Sequence, residues 1–271
     1  MNPNQEMCEH YIPCLDDFTL ALEKAFATSH ASSGLRCSNR QEWASVLFTR
    51  LCTFSTSILS LCPRSNLNPN GLHWDFGSIA ALSRNLLECS LIFFYLGIED
   101  VSEQEMNVRL MVMDLHDCNA RNRLRRDLIK IKDDGTNIYE DAVVKLSKRL
   151  KTDTFFNKLP LHDQKSIYKG QRACIYSQSE ILSRMGEDAS WIRAYYHFLS
   201  SHTHSLPLGF SRMAEHGRGH GGENVIDKAY ITFVLDFNSK IIKRCTADMQ
   251  KVFSDIAKFH DKPFNWNALK R

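Results

Sequence analysis

Two long parts of the chain contain no proline, and this constrains the fold more than any other sequence feature. None of the seven prolines lies between Pro69 and Pro160 or between Pro207 and Pro263. Because a proline inside a helix removes a hydrogen bond and clashes with the preceding turn, both parts permit long helices. Glycine is also scarce, with 12 in 271 residues, and scarcity of both residues favours helices over turns.

Apolar residues recur at helical spacing along most of the chain, and no alternating strand pattern is found. The spacing predicts helices at 15–27, 41–61, 74–96, 103–134, 138–158, 188–204 and 224–259. We therefore expect an all-α multi-helix bundle with long central and C-terminal helices. We also expect one domain over residues 1–271, in which residues 1–70 are an N-terminal helical extension of a bundle core at 71–271.

Capping residues are predicted at the starts of three of these helices. Asn39 and Glu42 form a predicted capping pair for the helix at 41–61, and Ser102 and Glu105 form one for the central helix. Asp188 is the predicted N-cap of the helix that follows it.

The cysteine pattern and the apolar runs indicate a cytoplasmic protein. Nine cysteines are spread singly, without a CxxC pair, and the N-terminal sequence lacks the basic and apolar regions of a signal peptide. We expect free thiols in a reducing compartment and no disulfide partner. The most apolar run, Leu86 to Ile98, is interrupted by Glu88 and is shorter than the roughly 20 residues of a membrane span. We interpret it as a core helix and expect no membrane partner.

Positive charge is concentrated in the second part of the chain. Residues 1–100 hold six basic against ten acidic residues, whereas residues 101–271 hold 28 against 21. The densest basic stretch binds phosphate in one interpretation, and a solvated helix face is the alternative, because no aromatic residues interleave it. The candidate nucleic-acid-binding residues are Arg123, Arg125, Arg126 and Lys130.

Three predicted helices carry polar residues on faces that should be buried. Arg84 and Glu88 lie four residues apart in the helix at 74–96, so they share a face. In the helix at 188–204, polar residues recur every four positions and form one ridge, at Tyr196, Ser200 and His204. A third set lies in the central helix. The candidate catalytic residues are Arg84, Glu88, His116, Asp117, Arg121, Tyr196, Ser200 and His204.

These polar residues have a functional and a structural interpretation. In the first, His204 or His116 is the general acid or base and Arg84 or Arg121 stabilises charge. In the second, the residues form a network that sets helix register, because a buried arginine must find a carboxylate. A small-ligand pocket around Tyr196 and His204 is a further hypothesis.

Three segments resemble the signatures of a bacterial family of unknown function, DUF5677. They are HWDFGSIAALSRNLLECSLIFFYL, DLHDCNARNRL and YYHFLSSHTHS. The resemblance covers roughly residues 70–210 and implies a relation to HEPN-like helical proteins, many of which are metal-independent RNases in toxin or antiphage systems. It therefore implies RNA as a partner and a homodimer as the assembly.

The HEPN RNase signature is an arginine, four to six residues, and then a histidine. In the helix that should carry it, Arg193 precedes His197 by three intervening residues and His202 by eight, so neither spacing fits. Arg109 and His116, separated by six residues, do fit, but they lie in another segment.

A histidine-rich window and a glycine-rich stretch are the remaining candidates for chemistry. The window holds His202, His204, His216 and His220. Histidines at this density bind zinc or nickel, but no cysteine lies nearby, and we expect no native metal site. The stretch HGRGHGG lacks the preceding strand and the lysine of a phosphate-binding loop. We expect no cofactor.

Together these features predict a HEPN-like helical protein that binds or acts on RNA, with metal-independent endoribonuclease activity in a bacterial defence or toxin context as the hypothesis. The alternative is a non-catalytic helical interaction or sensor module whose buried polar residues are structural. The sequence leaves open whether the chain is an enzyme.

Overall fold

The computed structural model describes residues 3–35, 38–129, 138–204, 206–211, 213 and 217–253. Within these ranges the structure is helical and has no β-strand, with one isolated bridge between Ser65 and Asn68. The α-helices are α1 (Pro3–Glu9), α2 (Tyr11–Ser32), α3 (Asn39–Leu61), α4 (Phe76–Phe93), α5 (Glu103–Arg123), α6 (Ile138–Thr152), α7 (Leu161–Tyr168), α8 (Gln178–Arg184), α9 (Ala189–Thr203), α10 (Pro207–Phe210) and α11 (Val225–Val252). The predicted all-α multi-helix fold is confirmed.

The chain forms two compact units. The first unit comprises Met1–Ile98 and Leu182–Arg271, and the second comprises Glu99–Ile181. In the first unit, α2 packs along α11, and α4 contacts α3, α9 and α11. In the second unit, α5 packs against α6 and α7. The helices of the expected N-terminal extension thus belong to the first unit, and a single domain over the whole chain stays a prediction.

Local capping explains where the helices begin. Asp188 caps α9 as predicted, because its carboxylate accepts from two backbone N–H groups at 2.9 and 3.2 Å. The capping box of α3 is formed by Ser38 and Gln41, so the predicted pair of Asn39 and Glu42 is wrong by one residue. Both pairs have suitable residue types at a spacing of three, and local sequence does not choose between them.

The two longest predicted helices differ from expectation toward their C-terminal ends. The central helix is α-helical to Arg123 and continues as a wider π-helical turn over Leu124–Ile129. The C-terminal helix ends at Val252 instead of residue 259. The rest of each prediction, at 130–134 and 254–259, lies outside the described residues. No glycine or proline marks the end of α11, which is why periodicity alone overestimates its length.

Helix α4 is the central helix of the first unit. Its apolar side chains Ile79, Leu86 and Leu87 are buried. Each contributes about 1.5–3 kcal/mol when it is removed from water. Because neighbours on three sides hold α4, the direction of its remaining polar face is fixed.

Two helices in the described part of the chain are long and apolar enough to span a membrane by length and composition. They are Asn39–Leu61, whose most apolar window is 39% buried in the protein, and the segment Phe76–Ile98, whose window is 61% buried. The second contains α4, which agrees with its interpretation as a core helix. Cytoplasmic location stays a prediction.

The cysteines of the described ranges are free thiols. Burial raises the pKa of the Cys52 and Cys62 thiols to about 12, so both remain protonated at neutral pH. Cys37 lies outside the described residues.

Candidate functional site

Helices α4 and α9 hold the candidate site within the first unit. Asp75 caps α4 by accepting from the backbone N–H of Ser78 at 3.1 Å. Arg84 and Glu88 are one turn apart on α4 and form an ion pair at 3.1 Å. The predicted pairing of Arg84 with a carboxylate is thus present. The two helices contact each other, and this contact places the ridge of α9 beside the ion pair.

A continuous chain of hydrogen bonds joins the two helices. The guanidinium of Arg84 donates to the Tyr196 hydroxyl at 2.5 Å, and that hydroxyl donates to Glu88 Oε1 at 2.9 Å. Arg84 Nη1 lies 3.0 Å from Nε2 of His204. The guanidinium also lies over the Tyr196 ring, 4.8 Å from its centroid. We call Arg84, Glu88, Tyr196 and His204 the Arg84 cluster.

The hydrogen bonds of the cluster define which nitrogen of His204 carries the proton and keep Arg84 charged. A guanidinium can only donate, so Nε2 of His204 accepts and the ring proton is on Nδ1. Burial works to lower the pKa of Arg84, but the hydrogen bond with Tyr196 and the charge of Glu88 outweigh it and raise the pKa. Arg84 is therefore a permanent cation whose charge lies directly beside an imidazole.

The cluster is accessible, but two polar atoms of the helices that carry it are buried. The side chain of Glu88 is 44% exposed and that of Arg84 is 19% exposed, and His204 is exposed at the C-terminal end of α9. Arg84 Nε and Ser200 Oγ are buried and have no hydrogen-bond partner among the described residues. Buried polar atoms without a partner are uncommon in folded proteins.

The third predicted set lies in the second unit. Arg121 donates to Asp117 at 2.6 Å on α5, and both side chains are more than half exposed, so the expected burial of these two residues is wrong. The Arg121 guanidinium lies 5.7 Å from the centroid of the Tyr139 ring. His116 is half-buried on the same helix. A joint site of these residues with the Arg84 cluster stays a prediction.

The arginine that fits the HEPN spacing is a structural residue. Arg109 is fully buried, and its Nη2 lies 2.6 Å from Glu99 while its Nε lies 3.1 Å from Glu105. The ring of Tyr176 is 5.4 Å from the guanidinium. Because its charge is enclosed, Arg109 is not available to a substrate beside His116.

The predicted basic stretch follows the end of α5. Arg123 and Arg126 are exposed and Arg125 is half-buried. Arg126 is paired with its neighbour Asp127 at 2.7 Å. Lys130 lies outside the described residues. Nucleic-acid binding by these residues stays a prediction.

The structure brings together no group of three metal-ligating side chains within its described ranges. His204 belongs to the Arg84 cluster, His202 is half-buried and His220 is exposed. His216 lies outside the described residues.

His202 has a distinct environment that its spacing did not indicate. The rings of Phe76 and Phe198 lie 4.7 and 5.0 Å from its imidazole. Burial, and then the positive charge of Arg218, lower the pKa of His202 to about 4, although Asp227 acts in the opposite direction. The sequence shows aromatic residues near His202, but it does not show that Arg218 approaches His202 from a loop.

His202 gives a testable pH dependence. Unfolded His202 takes up a proton near its ordinary pKa of about 6.5, and the folded protein does so only near pH 4. Protonation therefore stabilises the unfolded chain, and the free energy of unfolding falls as the pH is lowered from 6.5 to 4. In urea unfolding at pH 7 and 5, we expect His202→Phe to lose less stability than the wild type.

The exposed His197 is the matched control for this experiment. His197→Phe leaves His202 and the rings around it in place, so this variant should keep the pH dependence of the wild type. The same change in slope in both variants would contradict the assignment to His202.

The fold and the Arg84 cluster define an all-helical protein with an exposed polar site between two helices. The family model described as "Family of unknown function (DUF5677)" matches residues 41–221. This match covers more than half of the chain, so the chain belongs to the DUF5677 family. The matched range contains the whole Arg84 cluster and extends beyond the segments that carry the resemblance. No curated protein and no solved structure matches the chain.

Proposed function

We propose that this DUF5677 protein is a metal-independent endoribonuclease, related to the HEPN-like helical proteins, with the Arg84 cluster as its active site. The observation that carries the proposal is the 3.0 Å contact between the Arg84 guanidinium and Nε2 of His204. It combines a permanent cation, which binds phosphate, with an imidazole, which accepts a proton. Cleavage of RNA by its own 2′ hydroxyl needs both groups.

The proposed reaction uses each member of the cluster. When RNA binds, the guanidinium of Arg84 donates to a phosphate oxygen instead of to His204. This change leaves the lone pair on Nε2 of His204 free. His204 then accepts the proton of the 2′ hydroxyl as O2′ attacks phosphorus. The bond from phosphorus to O5′ breaks as the Tyr196 hydroxyl turns away from Glu88 and gives its proton to O5′. The imidazolium of His204 then releases its proton to solvent, and the Tyr196 phenolate takes one from solvent. The products are a 2′,3′-cyclic phosphate and a 5′ hydroxyl.

Two further features support this assignment. Glu88 accepts from Tyr196 at 2.9 Å and pairs with Arg84 at 3.1 Å, so it holds both side chains together beside His204. RNA approaches from solvent, because His204 and much of Glu88 are exposed.

The test is cleavage of structured and single-stranded RNA by the purified protein in EDTA. We expect cleavage by the wild type and by Arg193→Ala, which removes an exposed arginine of α9 whose Nε donates to the Ala189 carbonyl of the same helix. Arg84→Ala should lose activity by a factor of roughly 10² or more. Its melting temperature should fall by only a few degrees, because Glu88 returns to water.

The alternative proposal of a non-catalytic interaction module predicts the reverse. Arg84→Ala would then lower the melting temperature sharply, and no RNA would be cut by the wild type. The expected homodimer, the defence or toxin context and phosphate binding by Arg123, Arg125, Arg126 and Lys130 belong to the endoribonuclease proposal. Analytical ultracentrifugation without RNA tests the homodimer, and the same measurement with RNA tests binding by the basic residues.

A further inference from the structure

A cleft of about 360 Å³ lies in the first unit at the N-terminal end of α4. Phe76, Phe210 and Met213 line it with apolar surface. Its polar groups include Asp75 and His202. A few hundred cubic ångströms, apolar walls and a few convergent polar groups are typical of small-molecule sites. None of the residues in the Arg84 cluster lines this cleft.

The glycine-rich loop forms a fixed wall of the cleft. Arg218 and Asp227 form an ion pair at 3.2 Å in which both side chains are almost fully buried. Asp227 also accepts from the backbone N–H of Gly219 at 3.2 Å and from Asn224 at 2.7 Å. These contacts tie the loop to the start of α11. A buried pair with several additional hydrogen bonds is a specific structure and not a solvated loop.

The loop also approaches the start of α4 closely. The backbone N–H of Trp74 donates to the carbonyl of Gly221 at 2.9 Å. Gly221 has a φ of +76°, and a Cβ at this position would lie 2.4 Å from the imidazole of His73. Glycine is therefore needed for both the left-handed conformation and the close approach.

The charges that line the cleft disfavour an anion. The positive charge of Arg218 is directed at Asp227, and Asp75 adds a further negative charge. Asp75 accepts from the N–H and the hydroxyl of Ser78, but each carboxylate oxygen has a second lone pair. Neutral His202 offers one donor and one acceptor. The cleft therefore favours an uncharged ligand with N–H donors on its edge.

A nucleobase has these properties. Its flat faces pack against aromatic and thioether groups, and its edge carries donors and acceptors. Guanine fits best, because its ring N–H and its amino group are adjacent donors that pair with one carboxylate. Phe76 and Arg84 are eight residues apart on α4, or about 12 Å. This distance is short enough for one RNA strand to reach both sites.

We propose that the cleft binds a guanine base of the RNA whose phosphate lies at the Arg84 cluster. The assignment to RNA rests on the proposed endoribonuclease function, whereas base binding itself is a property of the cleft. Asp75 and His202 contact the edge of the base, and Phe210 and Met213 cover its face.

The test uses free nucleosides, which lack phosphate and therefore do not depend on Arg84. Binding of guanosine, adenosine, cytidine and uridine is measured by equilibrium dialysis with the full chain. We expect guanosine to bind at least tenfold more tightly than the others. Arg84→Ala should bind guanosine like the wild type.

Two substitutions in the cleft should each weaken guanosine binding about tenfold or more. Phe210→Ala removes a half-exposed ring, and Leu208→Ala on the same short helix is the matched control that does not line the cleft. Asp75→Asn removes the charge that accepts from guanine. It retains the helix cap, because asparagine caps as well as aspartate. Thermal unfolding verifies that all three variants are folded.

The outcomes distinguish the two proposals. Guanosine binding that is lost in Phe210→Ala and Asp75→Asn but kept in Leu208→Ala and Arg84→Ala supports the base site. No nucleoside binding at millimolar concentration, or binding unaffected by Phe210→Ala and Asp75→Asn, overturns it, even if RNA is cut. Guanosine binding without RNA cleavage overturns the endoribonuclease proposal and leaves the base site standing.

Discussion

His204→Ala is expected to lower the rate of RNA cleavage by a factor of roughly 10²–10⁴, the usual contribution of one general base. The substitution removes the only imidazole that contacts Arg84 in the described structure. Arg84 keeps its bonds to Tyr196 and Glu88, so phosphate binding should change little. The loss should therefore appear in kcat much more than in KM.

His197→Ala is the matched control for this prediction. His197 lies on the same helix and is exposed, but it belongs to neither the Arg84 cluster nor the cleft. Its variant should cleave RNA at the rate of the wild type. A His204→Ala protein that is folded and fully active would exclude His204 as the base and move the search to His116.

Arg109→Ala is expected to lower the stability of the second unit by about 3–5 kcal/mol, the cost of leaving buried charges without their partner. Arg109 is fully buried, and the side chains of its partners Glu99 and Glu105 are each only 11% exposed. Alanine leaves two carboxylates and a cavity. Hydrogen exchange at the amides of α5 measures the effect where it arises.

Arg126→Ala provides the comparison for a solvent-exposed pair. Arg126 and Asp127 are both more than half exposed, so solvent screens their ion pair and it contributes little to stability. Because the pair lies in the π-helical turn directly after α5, exchange at α5 should change little in this variant. If Arg109→Ala had an equally small effect, water would have to reach Glu99 and Glu105, and the buried network would not be a stabilising feature of α5.

Residue spacing was sufficient to identify the two groups of polar residues, one on α4 and one on α9, from which the Arg84 cluster is formed. Arg84 and Glu88 share a face because they are one turn apart, and the same holds for Tyr196, Ser200 and His204. Helical periodicity is a local property, so one sequence reveals it. That the two groups meet follows from the packing of α9 on α4, which depends on contacts between residues more than 100 positions apart.

The cleft and the buried arginine illustrate what local patterns do not contain. Arg218 lies between glycines in a stretch that reads as a loop, and only its pairing with Asp227 makes it a structural residue. Arg109 fits a catalytic spacing with His116, but burial beside two carboxylates gives it another role. In the sequence, a buried arginine such as Arg109 has the same charge and the same spacing to a histidine as an exposed arginine would have.

By itself the sequence determined the helical class, the family signatures and which polar residues share a helix face, because proline placement and periodicity act within a few turns. Only the tertiary structure decided which arginine faces solvent, which histidine is enclosed by aromatic rings and which faces meet. Those outcomes depend on burial and on the distance between remote segments, and packing of the whole chain sets both.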